Sequence, residues 1–154
     1  MSTASIRPAQ PSDLSQLTQL RTALWPESST EEHATELALI LAGKSPGILP
    51  LTIFLAESTD GALLGFIEAG LRSTAEGCDI SHPAGYVEGW YVVDRARRQR
   101  IGSALLRAAE DWARSQGCIE MPSDTSPENH LSQRAHEALG FSVAERSINY
   151  RKPL

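Results

Sequence analysis

Asp94-Arg-Ala-Arg-Arg-Gln-Arg-Ile-Gly-Ser-Ala104 is the stretch on which the reading of this chain turns. It follows Tyr86-Val-Glu-Gly-Trp-Tyr-Val-Val93, whose aromatic and β-branched residues read as a strand. It leads into Ala104, Leu105, Ala108, Ala109 and Trp112 on one helical face, with Arg107, Glu110, Asp111 and Arg114 on the other and Gly117 as the stop. A loop that opens directly into a helix presents unpaired N–H groups and the positive end of the helix dipole, which together bind a phosphate. Gly102 has no Cβ to obstruct an anion, and small Ser103 and Ala104 keep the first turn open. Arg95, Arg97, Arg98 and Arg100 crowd the loop, and guanidinium groups match phosphate oxygens. The same residues also describe a solvated basic loop before an ordinary helix.

Outward toward the N-terminus, Leu63-Leu-Gly-Phe-Ile-Glu-Ala-Gly70 reads as a strand, joined through the turn signal Thr59-Asp-Gly61 to the alternating Leu51, Ile53 and Leu55. These two strands should pair antiparallel. Arg72 to Gly85 is a long loop. Ahead of the hairpin, Ser5–Pro8 is a short strand. Leu14, Leu17, Leu20 and Leu24 then form a helix behind a Ser12 cap, ended by Trp25-Pro26. Ser29-Thr-Glu-Glu32 has capping-box spacing and starts a helix that stops at Gly43. Outward toward the C-terminus, a brief strand is expected at Cys118–Met121, an irregular turn at 122–128, a helix through Leu131, Ala135 and Leu139, and closing strands at Phe141–Glu145 and Ile148–Lys152. The order predicts an α+β fold: a mixed, mostly antiparallel central sheet flanked by about four helices, in a single domain over 1–154.

The 154 residues suit one domain, and 41% apolar with 21% charged residues excludes disorder for the bulk of the chain. The net charge of -5 has the wrong sign for a nucleic-acid partner and the right one for a cationic partner. No apolar run approaches the roughly 20 residues of a membrane span. The first twenty residues lack an apolar signal core, so a cytoplasmic location is expected. Cys78 and Cys118 have no metal-like spacing, and no metal is expected.

Gln99-Arg-Ile-Gly102-Ser-Ala104 resembles the Q/R-x-x-G-x-G/A acetyl-coenzyme A signature of the GNAT superfamily of N-acetyltransferases. Asn129, His136 and Leu139-Gly-Phe141 are similar to that family's downstream spacing. Within the superfamily, Leu24-Trp-Pro26, Gly77-Cys-Asp79, Val87-Glu-Gly89, Ser123-Asp-Thr-Ser-Pro-Glu-Asn129, His136 to Phe141 and Tyr150-Arg-Lys152 together resemble aminoglycoside 6′-N-acetyltransferases over nearly the whole chain. The resemblance implies that Trp90, Tyr91 and Val92 offer backbone groups to the pantetheine arm. It further implies that Arg98, Gln99, Arg100, Ile101, Gly102 and Ser103 hold the pyrophosphate, and that Asn129 bonds the pantetheine from the far side. On the acceptor side it implies substrate contacts at Trp25, Ser28, Ala75, Glu88, Asp124 and Glu145. Thr74 and Ala75 stand where an aromatic residue is expected in that subclass. Such acceptors are polycations, so carboxylates in a cleft make physical sense.

Acyl transfer needs a neutral amine. Glu88 is therefore the expected general base, and His136, where many members carry a tyrosine, the expected acid for the leaving thiolate. Neither cysteine stands in a nucleophile–base pattern, so transfer is expected to be direct. Packing at a helix end is the plainer role for Trp25, and packing in the last helix for His136. A homodimer is implied by the family. An acetyltransferase for polyamines or protein amino groups, or an acyl-coenzyme A sensor without catalysis, would share the loop.

Overall fold

The structure, a computed structural model, describes residues 4–45 and 47–154. Strand β1 (Ser5–Pro8) is followed by a 3-10 turn at Pro11–Asp13 and helix α1 (Leu14–Leu24), then by α2 (Thr30–Leu41). Strands β2 (Leu51–Glu57), β3 (Leu63–Arg72) and β4 (Ala84–Val92) come next, and α3 (Ile101–Ser115) and α4 (His130–Ala138) complete the elements. The strands form one sheet in the order β1-β2-β3-β4, every pairing antiparallel. The α+β class and the four helices expected from the sequence are present.

Local chemistry explains the boundaries. The capping box at α2 is formed as expected: Ser29 Oγ accepts from Glu32 N while a Glu32 carboxylate oxygen accepts from Ser29 N. The start of α1 differs, because Asp13 rather than Ser12 does the tying. Its carboxylate accepts from Gln10 N at 2.7 Å and takes the Arg7 guanidinium on both oxygens at 2.8 Å, joining the helix start to β1.

The sheet separates two apolar layers. On one face Leu64, Ile67, Ala69 and Val87 meet Ile101, Leu105 and Ala109 of α3. On the other, Leu55, Leu63 and Phe66 meet Leu17 and Leu20 of α1 and Leu37 of α2. Leu17, Leu37, Leu55, Phe66 and Leu105 are fully buried, each contributing about 1.5–3 kcal/mol through burial. Between β3 and β4 the register slips by one residue: Glu68 faces Gly89 and Ala69 faces Val87, leaving Glu88 as the extra residue of a β-bulge.

Three expected strands are not formed. Residues 120–123 run beside β4 through Gly85 N to Glu120 O at 3.3 Å, Val87 N to Pro122 O at 2.9 Å, and one parallel bridge between Val87 and Ser123. Pro122 has no N–H to extend the ladder, and the segment then leaves β4. The stretches Phe141–Glu145 and Ile148–Lys152 carry the alternating pattern of strands but remain irregular and largely exposed. A strand is stable only with a partner, and among the described residues they find none.

Candidate active site

β4 carries both halves of the site. At its C-terminal end the chain makes a 3-10 turn at Asp94–Ala96 and enters α3 through Arg98 and Arg100, both left-handed with φ of 63° and 62°. Such conformations cost about 1–3 kcal/mol each in non-glycine residues and persist where the surroundings over-determine them. Among the described residues, no backbone or side-chain group accepts from the N–H groups of residues 98 to 103. Six consecutive free donors at a helix N-terminus form an anion cradle. The loop is pinned around it: Arg97 Nε donates to Val92 O at 2.9 Å, Arg97 Nη2 pairs with Asp94 at 2.9 Å, and Gln99 Nε2 donates to Arg95 O at 3.2 Å. Arg97 is thus spent on the loop itself, whereas Arg98 and Arg100 are exposed. A Cβ on Gly102 would meet the Trp90 ring at 3.5 Å, an ordinary contact, so crowding by the protein does not demand glycine there.

Beyond Val87 the 120–123 segment departs, so the outer edge of β4 from Glu88 to Val92 has no strand beside it among the described residues. Trp90, Tyr91 and Val92 line this open wedge. The Trp90 indole N–H is buried with no acceptor among the described residues. Asn129 caps α4 by accepting from Ser132 N at 3.1 Å, which occupies its oxygen and leaves its NH2 as the group free to bond a ligand. His136 is held at both ring nitrogens, Nδ1 2.8 Å from Ser132 O and Nε2 2.8 Å from Ser123 Oγ, and stands edge-on to Trp90 at 5.5 Å. The carbonyl can only accept, so Nδ1 carries the hydrogen and Nε2 accepts a hydrogen bond from the Ser123 hydroxyl.

On the α1/α2 face lies a cavity of about 570 Å³ lined by Trp25, Glu88, Arg72, Arg21, Glu36, Glu68 and residues 47–51. Trp25 forms one wall and is clamped: Arg21 Cζ lies 5.1 Å from its ring centre, His33 stacks at 6.3 Å, Phe66 meets it edge-on at 6.4 Å, and His33 Nε2 donates to Trp25 O at 2.9 Å. It is both core packing and cleft wall. Opposite it, the Arg72 guanidinium grips Glu88 by a two-bond fork at 3.0 and 2.8 Å and lies 3.5 Å from the Tyr86 ring centre. Burial and then the neighbouring Asp124 charge raise the Tyr86 phenol above its usual range, which sets Asp124 beside Tyr86.

Of the expected acceptor contacts, Trp25 and Glu88 line the cavity, whereas Asp124 lies beside Tyr86, and neither of those two lines it. Ser28 is half-buried in the α1–α2 connection, Ala75 sits in a turn closed by Cys78 N donating to Ala75 O at 3.1 Å, and Glu145 is exposed on the C-terminal segment; none of the three lines the cavity. The sequence reading did not single out Arg21, Glu36, Glu68 or Arg72. A glutamate inside the apolar run Leu63–Gly70 was the available signal, because a charge in a buried strand needs a partner.

Residues 14–141 match the Acetyltransferase (GNAT) family. The chain belongs to the GNAT acetyltransferase family. This acetyltransferase is 42% identical over 149 residues to an aminoglycoside N(6′)-acetyltransferase type 1 of Klebsiella aerogenes, covering 97% of this chain and 96% of that protein. It is 45% identical over 136 residues to the Serratia marcescens protein of the same name, covering 88% and 89%. Among solved structures it superposes with a TM-score of 0.88 and 37% identity, over 99% and 100% of the two chains, on AAC(6′)-Iy in complex with the bisubstrate analogue CoA-S-monomethyl-acetylneamine. No helix among the described residues is long and apolar enough to cross a membrane.

Proposed function

We propose that this acetyltransferase moves the acetyl group of acetyl-coenzyme A to the 6′-amino group of aminoglycosides by direct attack, conferring resistance to those antibiotics. The observation that carries the reading is that one strand, β4, joins an anion cradle at residues 98–103 to an acidic cleft at Glu88. The aminoglycoside N(6′)-acetyltransferases cover nearly the whole chain. The cradle holds the pyrophosphate, and the open edge of β4 from Trp90 to Val92 takes the pantetheine as an added strand, with the Asn129 NH2 on its far side. β4 amides beside the thioester stabilise the oxyanion. Trp25 supports a sugar ring, while Asp124 and Glu88 bind ammonium groups, with Ser28, Ala75 and Glu145 as outlying contacts.

Glu88 receives the proton of the reacting ammonium, and the Arg72 fork fixes its orientation. His136 supplies the thiolate's proton once Nε2 is protonated and the Ser123 hydroxyl turns about. Work in the cytoplasm, where acetyl-coenzyme A is made, fits two free cysteines. A homodimer would cover the exposed apolar side chains Val143, Ile148 and Tyr150 of the C-terminal segment. Sedimentation should therefore give twice the 16.7 kDa of one chain, and a single-chain mass would remove the dimer.

The test is thiol release from acetyl-coenzyme A with kanamycin, spermidine or a lysine peptide as acceptor. Release is expected with kanamycin above the other two. Glu88→Gln should retain the heat of acetyl-coenzyme A binding and lose on the order of 10²-fold in turnover. In the same assay across pH, His136→Phe should change the profile, and an unchanged profile would make His136 structural. Equal release with all three acceptors would return the reading to a general amine acetyltransferase.

A further inference from the structure

Glu68 lies in the wall of the acceptor cavity, and none of the roles above uses it. It sits in the middle of β3 and is 3% exposed. Oε1 accepts from Arg21 Nη2 at 3.2 Å, and Oε2 has no hydrogen-bond partner among the described residues. Buried carboxylate oxygens are rarely left unpaired, so the orphan Oε2 of a residue in the cavity wall, itself closed off from solvent, is an acceptor the fold leaves open.

The charged groups around Glu68 come from its own strand and three other elements. Arg21 of α1 attracts it, but Arg21 Nη1 is also bound to Glu36 of α2 at 2.7 Å, so its charge is shared. Glu36 and Glu88 of β4 repel it, and Arg72, further along β3, is committed to the Glu88 fork. Burial outweighs the attraction of Arg21, and the carboxyl is pushed from 4.5 up to about 7. A base that titrates near the working pH is the most effective kind.

We propose that Glu68 is the group on which the proton of the acceptor ammonium comes to rest before the amine attacks. The proposal rests on the acetyl transfer described above. The ammonium N–H bond breaks with its electron pair left on nitrogen, and the proton passes by way of Glu88 to Glu68 Oε2. The freed pair forms the C–N bond at the thioester carbonyl. The C–S bond breaks with its pair on sulfur, and the second proton of the attacking nitrogen ends on the thiolate. Glu68 returns the first proton to solvent when the amide product leaves.

Glu68→Gln keeps the size of the side chain and an oxygen for Arg21. With kanamycin as acceptor, the wild-type protein should show an acid limb of kcat/KM near pH 7. Glu68→Gln should lose that limb and on the order of 10²-fold in kcat, whereas Glu88→Gln should keep the limb at a lower rate. The amine's own titration is common to all three proteins. An unaltered limb in a Glu68→Gln protein that still gives the heat of acetyl-coenzyme A binding overturns the proposal. If the variant does not fold, wild-type protein carrying 13C at the glutamate carboxyl carbons decides: one resonance titrating near 7 supports the proposal, and all of them titrating below about 5.5 overturns it. A wild-type protein that binds acetyl-coenzyme A but releases no thiol with kanamycin counts against the acetyl-transfer reading, whatever the carbon titration gives.

Discussion

At the scale of single residues, the cleft is built by what is missing at Gly89 as much as by what is present at Trp25. A Cβ on Gly89 would fall 2.5 Å from Trp25 Cη2 and 2.8 Å from Cζ2, closer than real contacts allow. The indole cannot retreat, because Arg21, His33 and Phe66 hold it on three sides. Gly89→Ala should therefore displace Trp25 into the cavity. The expected outcome is a KM for kanamycin raised by at least about tenfold, some 1.4 kcal/mol, with the heat of acetyl-coenzyme A binding unchanged because the cradle lies beyond β4. An unchanged KM would mean that the ring is not the wall of the acceptor site. Residue by residue, the sequence exposed the groups with unusual surroundings along the chain: Glu88 in an aromatic strand and four arginines in an acidic protein. It did not expose Arg21 or Arg72. An arginine's partner is fixed by the fold, and both partners, Glu68 and Glu88, lie 16 residues or more away.

At the scale of elements, the bulge at Glu88 and the departing 120–123 segment do the positioning. The bulge adds one residue to β4 opposite β3, so Glu88 reaches Arg72 and the cavity while Val87 still packs under α3. A register slip of this kind leaves no periodic trace in sequence, because hydrophobic alternation on either side of it remains intact. The hairpin β2–β3, the capping box of α2 and the strand-to-helix loop were all legible because each depends on neighbours within a few residues. The two closing strands were misread for the converse reason. Alternation predicts which residues could share a face, but a ladder needs an edge to pair with, and that edge belongs to no nearby stretch of the chain. The left-handed Arg98 and Arg100 were also hidden, since sequence marks that conformation only through glycine or asparagine.

At the scale of the whole molecule, the site places a load on folding that can be read from pH. Glu68 titrates at about 7 in the folded chain against 4.5 unfolded, so between those values the folded chain holds a proton that the unfolded chain has lost. Raising the pH through this window therefore favours unfolding: the contribution is fully present below 4.5 and gone above about 7, and it amounts to about 3 kcal/mol. Asp13 works in the opposite sense and in another range. Its hydrogen bonds to Arg7 hold its carboxyl below 3.8, so the stability it adds is present above that value and is lost only as the pH falls through the lower folded value. The two effects separate cleanly in a comparison of wild type with Glu68→Gln, which share Asp13 and every other titrating group. The wild-type urea midpoint, taken relative to that of the variant, should fall as the pH rises from about 4.5 to about 7 and level off above that. A difference that stays flat would place the Glu68 charge in the unfolded and folded chains on an equal footing, and would take from the acceptor cleft the proton-holding group assigned to it.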